Sequence, residues 1–289
     1  MRDRIDRRWR RVFLFLAGAQ LAPAMTAPGA QQVTYTGSLH GASGDYIFTE
    51  RTSSVALVSG LALELGRLHL SATVPLLLQS APWVTTGGAG PVPTGGPRYE
   101  SVAEWSGRGG RQHGRITLPA SAEPSEVGIG DPMLFAGVSL VEGGAGPGVS
   151  LEGAVKAPVA DVARGLGTGE WDYGAGLGAS LPFGRTALYL DGMYWVLGDM
   201  PGLPLRDVLS WSGAIGRIFR DGEWSALASV SGSGATIEGS DAPVQAGVML
   251  GRRWASGRTI SASLSVGLTE SASDVAGSVG WRVPLSRAP

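Results

Sequence analysis

Apolar and polar side chains alternate residue by residue through the middle of the chain. Over 149–157 the odd positions are apolar or glycine, whereas the even positions include Glu152. The alternation continues over 171–181 and resumes with opposite parity over 188–196, after a turn at 182–185. A period of two with one apolar face is that of a β-strand. Strands of about ten residues, joined alternately by tight turns and glycine-rich loops, are typical of transmembrane β-barrels.

The same pattern recurs along the chain. Strands are predicted at 33–39, 53–65, 68–78, 134–140, 149–157, 171–181, 188–196, 207–219, 224–230, 244–250, 260–268 and 275–285. Pro75 lies inside the third of these strands, which indicates a sheet edge or a bulge there. Bacterial single-chain barrels have an even number of strands. The predicted fold is therefore all-β: a single transmembrane, antiparallel, up-and-down β-barrel of about twelve strands with periplasmic termini.

The connections fit this topology. Short connections are predicted on the periplasmic side at 66–67, 142–147, 182–185, 220–223 and 255–258, and mostly longer ones outside at 80–130, 159–169, 198–206 and 234–242. The longest connection, 80–130, is rich in Gly and Pro, and such loops are usually functional or disordered. We expect it either to fold into the barrel as a plug or to be a disordered surface loop. As a plug, its arginines Arg98, Arg108, Arg111 and Arg115 would pair with carboxylates inside the barrel.

Aromatic residues on the apolar faces fall near the strand ends. The outer group is Trp171, Tyr173, Tyr194 and Trp211, and the inner group is Trp224, Trp254 and Trp281. Two such belts are expected where Trp and Tyr meet the two surfaces of a membrane. The alternative is a β-sandwich or soluble barrel with aromatics in its core, which would tend to cluster at mid-strand.

Composition narrows the classes further. The 289 residues include 46 glycines, 16% charged residues and no cysteine. Disulfides, thiolate metal sites and a cysteine nucleophile are therefore excluded. Residues 1–30 read as a signal peptide, with six arginines at the start, an apolar stretch at 12–21 and an A-x-A-like site at 27–30. Arg10-Arg11 leaves twin-arginine export open beside general secretion. Without 1–30, the 23 basic and 24 acidic residues fall to 17 and 22. A chain with more acidic than basic residues does not have the basic surface that nucleic-acid binding needs.

Charged residues fall on the polar faces of the predicted strands. The pore-lining candidates are Glu152, Lys156, Asp172, Asp191, Arg253 and Arg282, with Glu64 and His69 on the same side of the wall. Charges facing hydrocarbon are costly, so this placement supports the predicted register. These residues either set the selectivity of a pore or form ion pairs that stiffen the barrel. Small residues, mostly serines, line the last five strands and leave room for the 80–130 loop or the residues before Ser53.

Enzymatic motifs are missing from the sequence. It holds three histidines, His40, His69 and His113, and no G-x-S-x-G, H-E-x-x-H or Walker motif. We predict no catalytic residue, no metal and no cofactor. Two alternatives to a channel remain. One is a structural or adhesive barrel with a blocked lumen, and the other is a barrel enzyme that modifies lipid.

Short glycine-dominated motifs carry a resemblance to a known family. They are Gly128-Ile129-Gly130-Asp131-Pro132, Lys156-Ala157-Pro158, and Gly165-Leu166-Gly167-Thr168-Gly169 followed by Trp171-Asp172-Tyr173-Gly174. With these motifs, residues 53–285 resemble the meta-pathway phenol-degradation family of outer-membrane transporters. The resemblance implies a barrel that passes small, often hydrophobic or aromatic compounds. The predicted function is thus passive diffusion of small solutes across the bacterial outer membrane, with the lipid bilayer and a small solute as partners and the oligomeric state open.

Overall fold

A computed structural model describes residues 31–107, 114–118, 126–143 and 146–285 of the chain. The signal peptide predicted at 1–30 lies outside these residues and stays a prediction. The barrel strands are β1 (Gln31–Gly44), β2 (Thr52–Leu65), β3 (Leu68–Gln79), β6 (Glu126–Ile129) with β7 (Met133–Val141), β8 (Gly148–Lys156), β9 (Asp172–Phe183), β10 (Thr186–Val196), β11 (Val208–Phe219), β12 (Trp224–Ser233), β13 (Val244–Arg253), β14 (Thr259–Gly267) and β15 (Val275–Pro284). A small hairpin, β4 (Thr85–Gly87) and β5 (Gly90–Val92), and the helix α1 (Tyr99–Gly107) lie between β3 and β6.

The sheet closes on itself. Each barrel strand pairs antiparallel with its neighbours in the chain, and β15 pairs with β1 through contacts such as Ser38 with Gly280. Counting β6 and β7 as one interrupted strand, the ring has twelve strands, which confirms the predicted fold. Closure satisfies the backbone hydrogen bonds that an open sheet edge would expose to lipid.

The outer surface of the ring is apolar. Leu190, Val248 and Leu264 are 49%, 58% and 54% exposed. In a soluble sandwich or barrel, side chains on the apolar face of a strand would instead be buried in the core. Trp171 stacks on Tyr173 at the outer strand ends, with ring centroids 6.3 Å apart. The sandwich and soluble-barrel alternatives are therefore wrong, and the protein spans the bacterial outer membrane through its strands. Among the described residues there is no helical segment with the length and hydropathy needed to cross a bilayer.

One strand of the ring is interrupted opposite Pro75. β7 pairs with β3 up to Thr73, and β6 takes over the pairing from Leu76 onward. Between them the chain leaves the ladder at 130–132, and the Gly130 amide still donates to the Pro75 carbonyl at 2.9 Å. Proline has no amide hydrogen to give to a ladder, so a break here costs little. The bulge expected at Pro75 is confirmed.

Two elements differ from the prediction. β1 is 14 residues long, although apolar and polar residues alternate only weakly along it. Its lipid-facing Gly37 is covered by the Trp281 ring of β15. The predicted loop 80–130 is shorter at its end, since β6 already belongs to the ring. We call residues 80–118 the inserted loop, of which 80–107 and 114–118 are described.

The extracellular end of the barrel holds the main hydrophobic core. Its loop members include Phe48 from the β1–β2 connection, Trp83 and Val102 from the inserted loop, and Leu203 from the β10–β11 connection. Its wall members face inward from the strands: Phe135, Ala154, Met193, Trp195 and Val208. The inserted loop is thus folded into the mouth of the barrel, against β7–β11 rather than along the serine-rich wall of the last five strands.

Candidate functional site

A buried lysine organises the wall beneath the inserted loop. Lys156 lies at the end of β8 with no exposed surface. Its ammonium group donates to Oδ2 of Asp131 at 2.9 Å, to the Thr168 hydroxyl at 2.8 Å and to the Glu170 carbonyl at 3.0 Å. Oδ2 of Asp172 lies 3.4 Å away. We call Lys156, Asp131, Thr168 and Asp172 the lysine network.

The network shapes the chain around it. Oδ1 of Asp131 accepts the amides of Val159 and Ala160 at 2.9 and 2.8 Å, which fixes the start of the β8–β9 loop. The strand break at 130–132 is what turns Asp131 inward. All four network residues belong to the motifs that resemble the transporter family, so those motifs meet at one buried point.

The tip of the β4–β5 hairpin docks on the same network. The amide of Gly88 donates to Oδ2 of Asp172 at 2.7 Å, while Oδ1 of Asp172 accepts the Gly198 amide at 3.0 Å. Gly88 has no room for a side chain, because a Cβ there would lie 2.4 Å from the Trp195 ring. Trp195 in turn donates to the Ser210 hydroxyl at 3.2 Å. Lys156 and Asp172 therefore face inward but are fully buried beneath the hairpin.

A second group of contacts ties the inserted loop to the β1–β2 connection. Ile116 pairs with this connection through backbone hydrogen bonds of 2.8 and 2.9 Å to Ile47 and Thr49. Arg115 contacts Asp45 at 3.2 Å. The hydrogen bond from Arg51, followed by that from Arg115, holds the pKa of Asp45 below its ordinary value.

The expected pairing of loop arginines with lumen carboxylates does not occur at Arg115. Its partners are Asp45 and, at 4.0 Å, Glu270, which both lie in extracellular connections. Arg108 and Arg111 lie outside the described residues. The contacts of Asp172 are made instead by Lys156 and by the amides of Gly88 and Gly198, none of which the sequence had suggested as its partner.

Below the inserted loop, two carboxyl groups meet in mid-lumen. Glu152 on β8 is buried, accepts a hydrogen bond from the Ser150 hydroxyl at 2.7 Å, and contacts the carboxyl group of Asp191 on β10. Gly178 lies between them on β9, and a Cβ there would lie 2.7 Å from Oε1 of Glu152. The absent side chain at 178 is what lets the two carboxyl groups approach each other.

Polar residues gather at the periplasmic end of the lumen. Glu64 and His69 are register partners across β2 and β3, and each is only 4% exposed. Thr259 on β14 is the register partner of Arg253 on one side and of Arg282 on the other. Both arginines interact electrostatically with Glu64. We call these five residues the periplasmic cluster.

The rest of the lumen wall has two characters. Ala187, Tyr189, Ala214 and Ile218 form a buried apolar group on β10 and β11, with Leu227 of β12 packed against it. The serine-rich wall is held by hydroxyl contacts, among them Ser263 with Ser278 at 2.7 Å. In the described parts of the chain, no group of three or more His, Asp or Glu side chains is placed to hold a metal ion.

The six candidates predicted from sequence thus separate into three places. Lys156 and Asp172 belong to the lysine network, Glu152 and Asp191 to mid-lumen, and Arg253 and Arg282 to the periplasmic cluster. All six lie on the inner face of the wall, as their strand parity predicts, and their role in lining a pore stays a prediction. The alternation of apolar and polar residues could not predict the contacts of Thr168 and Gly88, because both residues lie in loops.

Comparison with known proteins identifies the type of fold. The structure resembles an outer membrane channel from Pseudomonas putida F1, with a TM-score of 0.62 and 13% identity, over 92% of this chain and 100% of that one. It also matches the translocator domain of the autotransporter NalP from Neisseria meningitidis (TM-score 0.42, 12% identity, 90% and 88% covered). A third match is the CymD monoaromatic hydrocarbon channel (TM-score 0.42, 8% identity, 90% of each chain).

Sequence comparison adds no family. No family model matches the chain, and no curated protein matches it. The resemblance to the meta-pathway phenol-degradation family therefore stays a prediction. What the comparisons support is the architecture: this chain has the fold of outer-membrane β-barrels, and a solved channel of that kind aligns over its whole length with 92% of this chain.

Proposed function

We propose that the protein is an outer-membrane channel that passes small solutes by passive diffusion, and that the inserted loop acts as its plug. One observation carries this proposal. Inside a lipid-facing barrel, much of the lumen wall carries hydroxyl and charged groups, and the described part of the inserted loop packs in the extracellular mouth.

The plug is attached at its tip by polar contacts. The hairpin is held to the wall by the Gly88–Asp172 hydrogen bond and by packing against Trp195. The loop also packs into the hydrophobic core of the mouth through Trp83 and Val102, but it contributes no barrel strand, so its removal leaves the strand ladder intact. The small, hydrophobic or aromatic solutes that the family resemblance implies are the class that we propose for this lumen.

Liposome swelling tests the function. The unmodified mature barrel and a variant in which a short Gly-Ser linker replaces 81–118 are reconstituted with a panel of sugars, organic acids and aromatic alcohols. We expect slow, size-limited swelling with the unmodified barrel and faster swelling with the variant. An absence of swelling in both, with correctly folded protein, would contradict a channel and favour the structural or adhesive barrel.

A lipid-modifying enzyme is distinguished by a different experiment. Permeability of a channel should survive replacement of His113, whereas a barrel enzyme would lose lipid hydrolysis or acyl transfer when His69 or His113 is replaced. We expect no turnover of phospholipid or lipopolysaccharide by the unmodified barrel.

A further inference from the structure

The periplasmic cluster contains buried polar atoms that lack partners. Oε2 of Glu64, Nδ1 of His69 and Oγ1 of Thr259 are buried, and none of these three atoms has a hydrogen-bond partner. Buried polar atoms in proteins are nearly always satisfied, so each exception calls for an explanation. Three of them at one end of one lumen indicate that whatever occupies the lumen supplies the missing hydrogen bonds.

The chemistry of the cluster defines the occupant. Arg253 and Arg282 lie on the two strands either side of Thr259, and each of these strands is about 4.8 Å from the strand of Thr259. The two guanidinium groups and the hydroxyl can therefore bind the same anionic group. Arginine is the side chain best suited to hold a carboxylate. An ionised Glu64 can only accept hydrogen bonds, so its free oxygen requires a donor on the ligand.

A largely buried apolar group, in which Leu227 is only partly buried, lies on the opposite side of the lumen. β11, which carries Ile218, is six strands from β2 in a ring of twelve, and therefore faces Glu64 across the barrel. Tyr189 and Leu227 lie beside Ile218 in the same apolar group. Both surfaces lie in the periplasmic half of the barrel, within a few residues of the tight turns. A ligand held here would have polar groups towards β2 and β13–β15 and an apolar body towards β10–β12.

We propose that the periplasmic cluster binds small carboxylates that also carry a hydroxyl group, and that hydroxylated aromatic acids are the class that fits best. The carboxylate lies between Arg253 and Arg282 and accepts from Thr259. The hydroxyl donates to Oε2 of Glu64, and His69 faces it from the neighbouring strand. This inference rests on the proposed function, because it names the solute class for which the lumen is built.

Isothermal titration of the detergent-solubilised mature barrel tests binding without any need for conduction. The probes are 4-hydroxybenzoate, benzoate, which lacks the hydroxyl, and 4-hydroxybenzyl alcohol, which lacks the carboxylate. We expect binding in that order, with the alcohol undetectable. Arg253→Gln or Arg282→Gln should weaken 4-hydroxybenzoate about tenfold or more, as the loss of a charged hydrogen bond does, and the milder Thr259→Val should weaken it less.

Glu64→Leu separates the two halves of the site. It should abolish the preference for 4-hydroxybenzoate over benzoate while leaving benzoate bound at least as tightly, because a repelling carboxylate is gone. Arg252→Gln is the matched control. Arg252 precedes Arg253 but lies on the outer face, where its guanidinium group stacks on Trp224 and Trp254 at 5.3 and 5.1 Å.

The outcomes are distinguishable from failure of the channel itself. Equal affinity for all three probes, or losses no larger in the Arg253 and Arg282 variants than in Arg252→Gln, would overturn the site even if the barrel conducts. Binding that follows the expected order in a barrel that never conducts would uphold the site and refute the channel.

Discussion

At the scale of single residues, the most informative side chain is Lys156, the one lysine of the sequence. Its ammonium group neutralises part of the charge of two buried aspartates and joins β8 and β9 to the strand break at 130–132 and to the β8–β9 loop. Removing one member of a buried ion pair leaves an uncompensated charge, whereas an exposed pair contributes little.

Lys156→Met should therefore lower the free energy of unfolding by about 3–5 kcal/mol. Arg67→Gln, which breaks the exposed pair with Glu142 at a periplasmic turn, should cost less than about 1 kcal/mol. Urea unfolding of the barrel in lipid vesicles gives both values. A cost at Lys156 no greater than that at Arg67 would mean that the lysine network does not stabilise the wall.

Gly88→Val tests how the hairpin is seated. The new side chain would collide with the Trp195 ring and lift the hairpin tip from Asp172. We expect faster hydrogen–deuterium exchange of amides in 85–92, with barrel strands unchanged. Gly107→Val is the control, because a Cβ at Gly107 meets nothing within 4 Å. Equal exchange in the two variants would show that the hairpin is not held by this contact.

At the scale of elements, the alternation of side chains predicted the strands well and the loops poorly. The exterior of the barrel must be hydrophobic, so every second residue of a strand tends to be apolar from β2 to β15. β1 was harder to recognise because Gly37 and Gly41 weaken its apolar face. β6 was harder to recognise because it has four residues, one of them Gly128, and is followed by Gly130. The hairpin and α1 are stabilised by tertiary packing in the barrel mouth, which leaves no periodic signal.

Parity also predicts the response of a strand to an added charge. Val230→Arg places a guanidinium group on the lipid face of β12, where Val230 is 41% exposed. It should destabilise the barrel by about 2–4 kcal/mol if near the bilayer midplane. Ser229→Arg, one residue earlier and facing the lumen, should cost clearly less. Unfolding titrations in vesicles compare them, and equal costs would contradict the assigned faces.

At the scale of the whole molecule, the barrel has the inserted loop packed in its extracellular mouth, a carboxyl pair in mid-lumen and the periplasmic cluster at its other end. The sequence predicted all six candidate residues on the inner face, because charged side chains are too costly to place against the lipid outside. It could not foresee that Lys156 and Asp172 are covered, since that depends on a loop that folds back onto them. Nor could parity bring Asp131 into the site, because its inward turn follows from the strand break at 130–132.

Single-channel conductance in planar bilayers tests most directly whether this lumen is a pore closed by its own loop. The unmodified mature barrel should show small or brief currents, and the variant with 81–118 replaced by a Gly-Ser linker should show a steady current several times larger. If the two proteins carry the same current, or neither carries any, the inserted loop is not what closes the barrel and the account fails.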